Sequence, residues 1–175
     1  MHAAIHSDLK NFLESEHSAE LYQKVLDAAG YEAQDFEAKT YQNDAVTEKA
    51  IDTAAELLSQ SRLDFLTDMG KFGAKGLYEF VKPMLDPSWK TLDLVENVES
   101  HFHKYTREEM GAFPPALKSE RVSDDELIIN VMSHRKMAGL AKGFILGFGA
   151  IYEESVTVDV ELTDSGYSFN IKKVA

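Results

Sequence analysis

What most limits the folds open to this chain is a change of apolar period at about residue 115. Before it, hydrophobic residues recur at helical spacing. Ile5, Leu9, Phe12 and Leu13 mark a first helix from Ala3 to about Leu13. Leu21, Tyr22, Val25, Leu26 and Ala29 mark a second, which Gly30 is suited to end. A third helix runs from Asp44 or Thr47 through Ala50, Ile51, Ala54, Ala55, Leu57 and Leu58. A fourth follows Ser59 and carries Leu63, Phe65, Leu66, Met69 and Phe72. The spacing then predicts a long helix from Thr91 to about Met110, stopped by Gly111 and the Pro114-Pro115 pair. Tyr31 to Asp44 has no clear period and reads as a loop or short turns.

After the change, apolar residues come in strands. Glu126 to Met132 reads as one strand. Val156, Val158 and Val160 alternate with Thr157, Asp159 and Glu161 in a second, and Tyr167, Phe169 and Ile171 form a third across a Thr163–Gly166 turn. Between them, Met137 to Tyr152 is apolar and rich in small residues, which predicts a buried helix packed closely on the sheet. The predicted fold is α+β: one domain over residues 1–175, with a helical lobe over about 1–80 and a long helix plus antiparallel sheet over about 84–175. Gly70, Gly73 and Gly76 sit three apart in the fourth helix at a cost of up to about 1 kcal/mol each. They imply a broken helix or the close approach of another group, and with Pro83 they mark the expected hinge between lobes.

Composition removes several function classes. Thirty acidic against 18 basic residues give a net charge of −12, with 12 acids and four lysines in the first 60 residues. That charge repels nucleic acid and anionic lipid, and there is no basic stripe to reverse it. No apolar run reaches the roughly 20 residues of a membrane span, and the first residues lack a secretory pattern, so the expected compartment is the cytoplasm. The absence of cysteine excludes disulfides, thiolate metal sites and cysteine nucleophiles. Neither a nucleophile elbow, a phosphate loop, a dinucleotide fingerprint nor a zinc-binding H-E-x-x-H occurs, so an enzyme is not expected.

Two constellations carry chemistry. Ser133 and Arg135, two apart at a strand end, point to one face and can converge on a carboxylate or phosphate. On the long helix, Leu94, Val95, Val98, Phe102 and Tyr105 form the apolar stripe. Projected at 100° per residue, Phe102 lies inside that stripe, His101 borders it, and His103 falls among the charged positions. A histidine pair at i, i+2 diverges on a regular helix and cannot chelate one metal.

In their order, these pieces resemble the haem–nitric oxide/oxygen-binding (H-NOX) family over nearly the full chain. The matching features are the N-terminal helix with Ile5, the acid- and histidine-rich helix before Gly111-Ala112-Phe113-Pro114-Pro115, and the strand ending in Ser133-x-Arg135. Lys136-Met137, the helix with Gly143-Phe144-Ile145-x-Gly147 and the closing hairpin complete the set. The resemblance implies a cytoplasmic gas sensor with haem b between a helical and an α+β lobe. It implies a histidine on the long helix as iron ligand, a Tyr-x-Ser-x-Arg signature on the propionates, and a proline against the porphyrin. Ser133, Arg135 and Pro115 match, and Ile5 and Leu140 are carried over as residues of the haem pocket. Two positions depart. Val131 stands where the signature has tyrosine, and Phe102 occupies the ligand position, so a one-residue bulge would be needed to bring His101 to iron. Leu140, where oxygen-binding members have tyrosine, offers no donor to oxygen. The partners implied are a histidine kinase or a cyclic-dinucleotide enzyme. The alternative is a member that kept the fold, lost haem, and serves as an interaction module or binds another ligand.

Overall fold

The computed structural model describes residues 3–31, 44–109 and 113–174. The expected loop between Tyr31 and Asp44 and the Gly111 helix stop therefore lie outside the described residues. Four helices come first: α1 (Ala3–Glu16), α2 (Ala19–Ala29), α3 (Asp44–Leu57) and α4 (Arg62–Val81). α2 and α4 start where the chain supplies a cap. Ser18 and Ser61 accept the Leu21 and Asp64 amides at the starts of α2 and α4, satisfying donors that a helix start leaves open. Gly30 closes α2 at φ 75°, a left-handed position that glycine takes without strain.

The predicted long helix is present but not regular. It consists of α5 (Thr91–Glu96), a π-helical segment (Val98–His103) and α6 (Lys104–Glu109). A π turn holds one extra residue, so every later side chain is rotated about one residue's worth from its place on a regular helix. That rotation corrects the helical projection. Tyr105, expected in the apolar stripe, is 41% exposed.

The sheet is antiparallel in the order β1-β2-β4-β3, from β1 (Ala116–Ser123), β2 (Glu126–Met132), β3 (Val156–Thr163) and β4 (Gly166–Lys173). One face is apolar, with Leu127, Ile129 and Val131 of β2 beside Ile171, Phe169 and Tyr167 of β4. β1 is the strand that apolar alternation does not reveal. It is an edge strand reading Ala-Leu-Lys-Ser-Glu-Arg-Val-Ser, and its stabilising contacts are polar. Arg121 pairs with Asp93 at 2.8 Å and Glu96 at 2.7 Å, and the Leu117 amide donates to Glu99 at 3.0 Å. The long helix thereby covers the free edge of the sheet, which would otherwise offer unpaired amides to another chain.

α7 (Ala138–Ile151) lies between the sheet and α4. As expected it packs on the sheet, with Gly149 close against Val156 of β3, but Gly139, Gly143 and Gly147 face α4. A Cβ at Gly143 would stand 2.7 Å from the Gly70 Cα and overlap the Thr67 carbonyl. One at Gly139 would stand 2.7 Å from the Leu66 Cβ. The two helices thus touch backbone to backbone. α4 runs unbroken through all three of its glycines, so of the two readings close approach, not a broken helix, accounts for Gly70 and Gly73. Two apolar clusters result. One joins α1 to α4 with Met137 and Leu140; the other joins the sheet, α5 and α7 with Ala74.

Among the described residues, one of the buried polar groups in the helical lobe can ionise. His6 is 1% exposed and shares a hydrogen bond with the Thr47 hydroxyl across α1 and α3. Burial pushes its pKa from 6.5 down to about 4, so the fold holds it neutral.

Two predictions follow from this packing. Gly143→Ala forces apart two helices in backbone contact and should destabilise by about 1–3 kcal/mol. Gly76→Ala, with nothing within 4 Å of the added methyl, should instead stabilise by about 0.5–1 kcal/mol. Urea unfolding of both variants checks the pair, and equal shifts would sink the contact argument. For His6, the unfolded chain takes up a proton at higher pH than the folded one. The stability that neutral His6 contributes is complete above pH 6.5 and is lost as pH falls toward 4, by roughly 2–3 kcal/mol in all. Against wild type, His6→Gln should flatten stability between pH 4 and 6.5.

Candidate functional site

The residues singled out by sequence lie on three elements: Ile5 and Leu140 in the helical cluster, His101 and Phe102 on the π segment, and Ser133 and Arg135 just past the end of β2. Three of them are buried or partly buried against the helical core or the long helix. Ile5 is partly buried on the helical cluster, Leu140 is 5% exposed within it, and Phe102 is 7% exposed on the π segment. Phe102 faces inward, as the helical projection requires, even though the helix there is π rather than α.

The flanking histidines do not follow the projection. His101 is exposed, its ring edge-on to Trp89 at 5.0 Å between centroids, with Nδ1 at 2.9 Å from the Ser100 hydroxyl. The bulge that was needed to bring His101 inward is present, yet His101 remains outside. His103, expected among solvated charges, is the more enclosed of the two. Its Nδ1 lies 3.0 Å from the Pro115 carbonyl and 3.3 Å from a Glu99 carboxylate oxygen. Both neighbours only accept, so Nδ1 carries the proton. Burial lowers the His103 pKa against the opposing pull of Glu99. Pro115 is thus tied to the long helix through its carbonyl, and Glu99 also binds Arg107 and the Leu117 amide. These contacts follow from the phase shift of the π turn, which brings His103 round to the Pro115 side.

Ser133 and Arg135 are joined through the backbone, and among the described residues the one carboxylate bound by the pair is on Arg135 alone. The Ser133 hydroxyl oxygen accepts the Arg135 amide at 3.1 Å, which leaves its O–H to donate elsewhere. Arg135 donates from Nε to Asp44 at 2.6 Å and from Nη1 to the Phe113 carbonyl at 3.0 Å. Asp44 opens α3, so this ion pair ties the helical lobe to the end of the sheet. Partial burial would raise the Asp44 pKa, and Arg135 is among the groups that bring it down to about 2 instead. Arg135 therefore already holds one carboxylate. Its Nη2 has no partner among the described residues, so the guanidinium has further donors to offer.

Val131 is 4% exposed on the apolar face of the sheet and supplies no hydroxyl. Its neighbour on β4 does. Tyr167 pairs directly with Val131 and was treated in the sequence only as an alternating strand residue. Nothing local marks it, because the two positions meet only through the strand order. Among the described residues no group of three or more metal-ligating side chains forms, and no helix is long and apolar enough to cross a membrane.

Comparison with known proteins agrees with this fold. A solved H-NOX protein from K. algicida in the unliganded Fe(II) state has a TM-score of 0.87 at 14% identity, covering 100% of this chain and 97% of that one. An H-NOX protein from S. oneidensis in the Fe(II)NO state has a TM-score of 0.85 at 12% identity, with 100% of both chains covered. A variant of the T. tengcongensis H-NOX has a TM-score of 0.81 at 17% identity, covering 100% of this chain and 98% of that one. At these identities the likeness establishes the α+β fold. No curated protein sequence matches the chain. The profile of the haem-NO-binding family matches residues 2–160, and by that match, spanning both lobes, the chain belongs to the H-NOX family of gas-sensor domains.

Proposed function

We propose that this chain is a sensor domain that binds a carboxylate-bearing ligand between its lobes, without an iron bond from the long helix, and passes the event to a signalling protein. The observation that carries the reading is Phe102. It is the inward residue of the helix, and an aromatic ring has no lone pair for iron. The residues present fit haem b only in part. Ser133 and Arg135 suit its propionates, whereas His101 stacks on Trp89 and His103 is bonded to Pro115 and Glu99.

The Asp44–Arg135 pair supports a way of signalling. An incoming carboxylate competes with Asp44 for the same guanidinium, and each exchange alters the link between α3 and the end of β2. Nothing in this scheme requires catalysis. The partner class follows the family resemblance, a histidine kinase or a cyclic-dinucleotide enzyme. One observation favours the family's own chemistry, haem b with nitric oxide on a His101-bound iron. The π segment spans the histidines, and a one-residue change of register there would rotate His101 inward.

Spectroscopy separates the two. With haem supplied, the wild-type chain should lack the five-coordinate ferrous spectrum of histidine-ligated haem, and Phe102→His should gain it. A wild type that shows this spectrum, and loses it in His101→Ala or His103→Ala, overturns the proposal. The carboxylate anchor is tested independently of iron. Arg135→Ala should weaken binding of metal-free protoporphyrin IX by about 1.5–3 kcal/mol, the worth of a charge-assisted pair. An unchanged titration curve would remove Arg135 from the site.

A further inference from the structure

Tyr167 is 5% exposed, yet among the described residues its hydroxyl makes no hydrogen bond. The ring is buried while the hydroxyl is not shut off from solvent, the placement from which a phenol can take a partner outside the core.

Its position limits what that partner can be. In the register of the sheet, Leu117, Val131, Tyr167 and Leu162 form a single row on the apolar face, the last row before β2 leads into Ser133. Ser133 lies two residues beyond Val131, directly after the last residue of β2. The Ser133 amide donates to the Ser165 carbonyl at 3.1 Å, which holds the start of β4 against the end of β2. A Cβ on Gly166 would stand 2.9 Å from the Ser133 nitrogen, so the two strands are as close there as backbones allow. Side chains directly opposite on neighbouring strands lie about 4.5–5.5 Å apart at Cβ. Tyr167 is the one residue of its row with a hydrogen-bonding side chain.

We propose that Tyr167 is a ligand-binding residue, its phenol donating to the carboxylate that Ser133 and Arg135 hold. The inference rests on the reading of Arg135 as carboxylate anchor. Burial pushes the Tyr167 pKa up to about 12 despite the nearby Arg135 charge, so the phenol stays protonated and able to donate at neutral pH. The phenol then arrives from β4, one strand over from Val131, where β2 has only an isopropyl group.

The test compares wild type, Tyr167→Phe and Arg135→Ala in the full chain, titrated with metal-free protoporphyrin IX and with its dimethyl ester. Tyr167→Phe should weaken binding of the acid about tenfold or more and leave the ester unchanged. The melting temperature of the ligand-free variant should stay within about 2 °C of wild type, because no internal hydrogen bond is removed. If Arg135→Ala loses the acid and Tyr167→Phe does not, the assignment of Tyr167 fails while the anchor stands. Equal losses for acid and ester, or a marked fall in melting temperature, would make Tyr167 a packing residue and also overturn it. A wild type that does not prefer the acid to the ester overturns the anchor and Tyr167 together.

Discussion

The architecture depends on the backbone contact between α4 and α7. Where Gly143 meets Gly70 and Thr67, neither helix has a side chain to hold the other away. Close approach lets α7 present its other side to the sheet, through Ile145 and Phe148, while Met137 and Leu140 complete the helical cluster. One helix therefore belongs to both cores. The glycines are costly as helix formers, and that cost is offset by the packing of two apolar clusters on one shared element.

The long helix is held differently, by charge. Arg121 bridges Asp93 and Glu96, Glu99 accepts the Leu117 amide, and Glu154 accepts the Thr91 amide at the start of α5. Such contacts are individually modest at a partly exposed surface. Together they set the rotation of the helix over the sheet edge and the side on which the π turn opens. A helix latched by ion pairs and hydrogen bonds can shift register at less cost than one locked by close packing. Within this protein it is the element best suited to move, in contrast to the α4/α7 pair.

The proposed ligand site combines these two kinds of attachment. Its anchor, Arg135, spans from the sheet to Asp44 on the first turn of α3. On the long helix Phe102 is turned in and His103 is tied to the Pro115 carbonyl. A family member with this helix offers no imidazole to iron but retains a cationic seat for an acid. Under the proposal, the same fold would support ligand binding with the metal bond removed, since fold and site chemistry are separable.

Several features were legible in the residues alone because they are local. Helical and alternating periods, Ser18 and Gly30 as caps, the tight hairpin after Thr163 and the inward phase of Phe102 all depend on neighbours within a few positions. β1 was not legible, because its partners are carboxylates on a helix far along the chain rather than an apolar alternation of its own. The phase of His103 and Tyr105 was lost at the π turn, which no periodicity announces, and the glycine pattern said only that something approaches. Tertiary structure alone decided that this something is α7, that Arg135 holds Asp44, and that Tyr167 stands beside Val131. The physical reason is the same in each case. Period and capping are set by the backbone geometry of one segment, whereas a packing partner, an ion pair or a cross-strand neighbour is set by which distant segment the rest of the fold brings alongside.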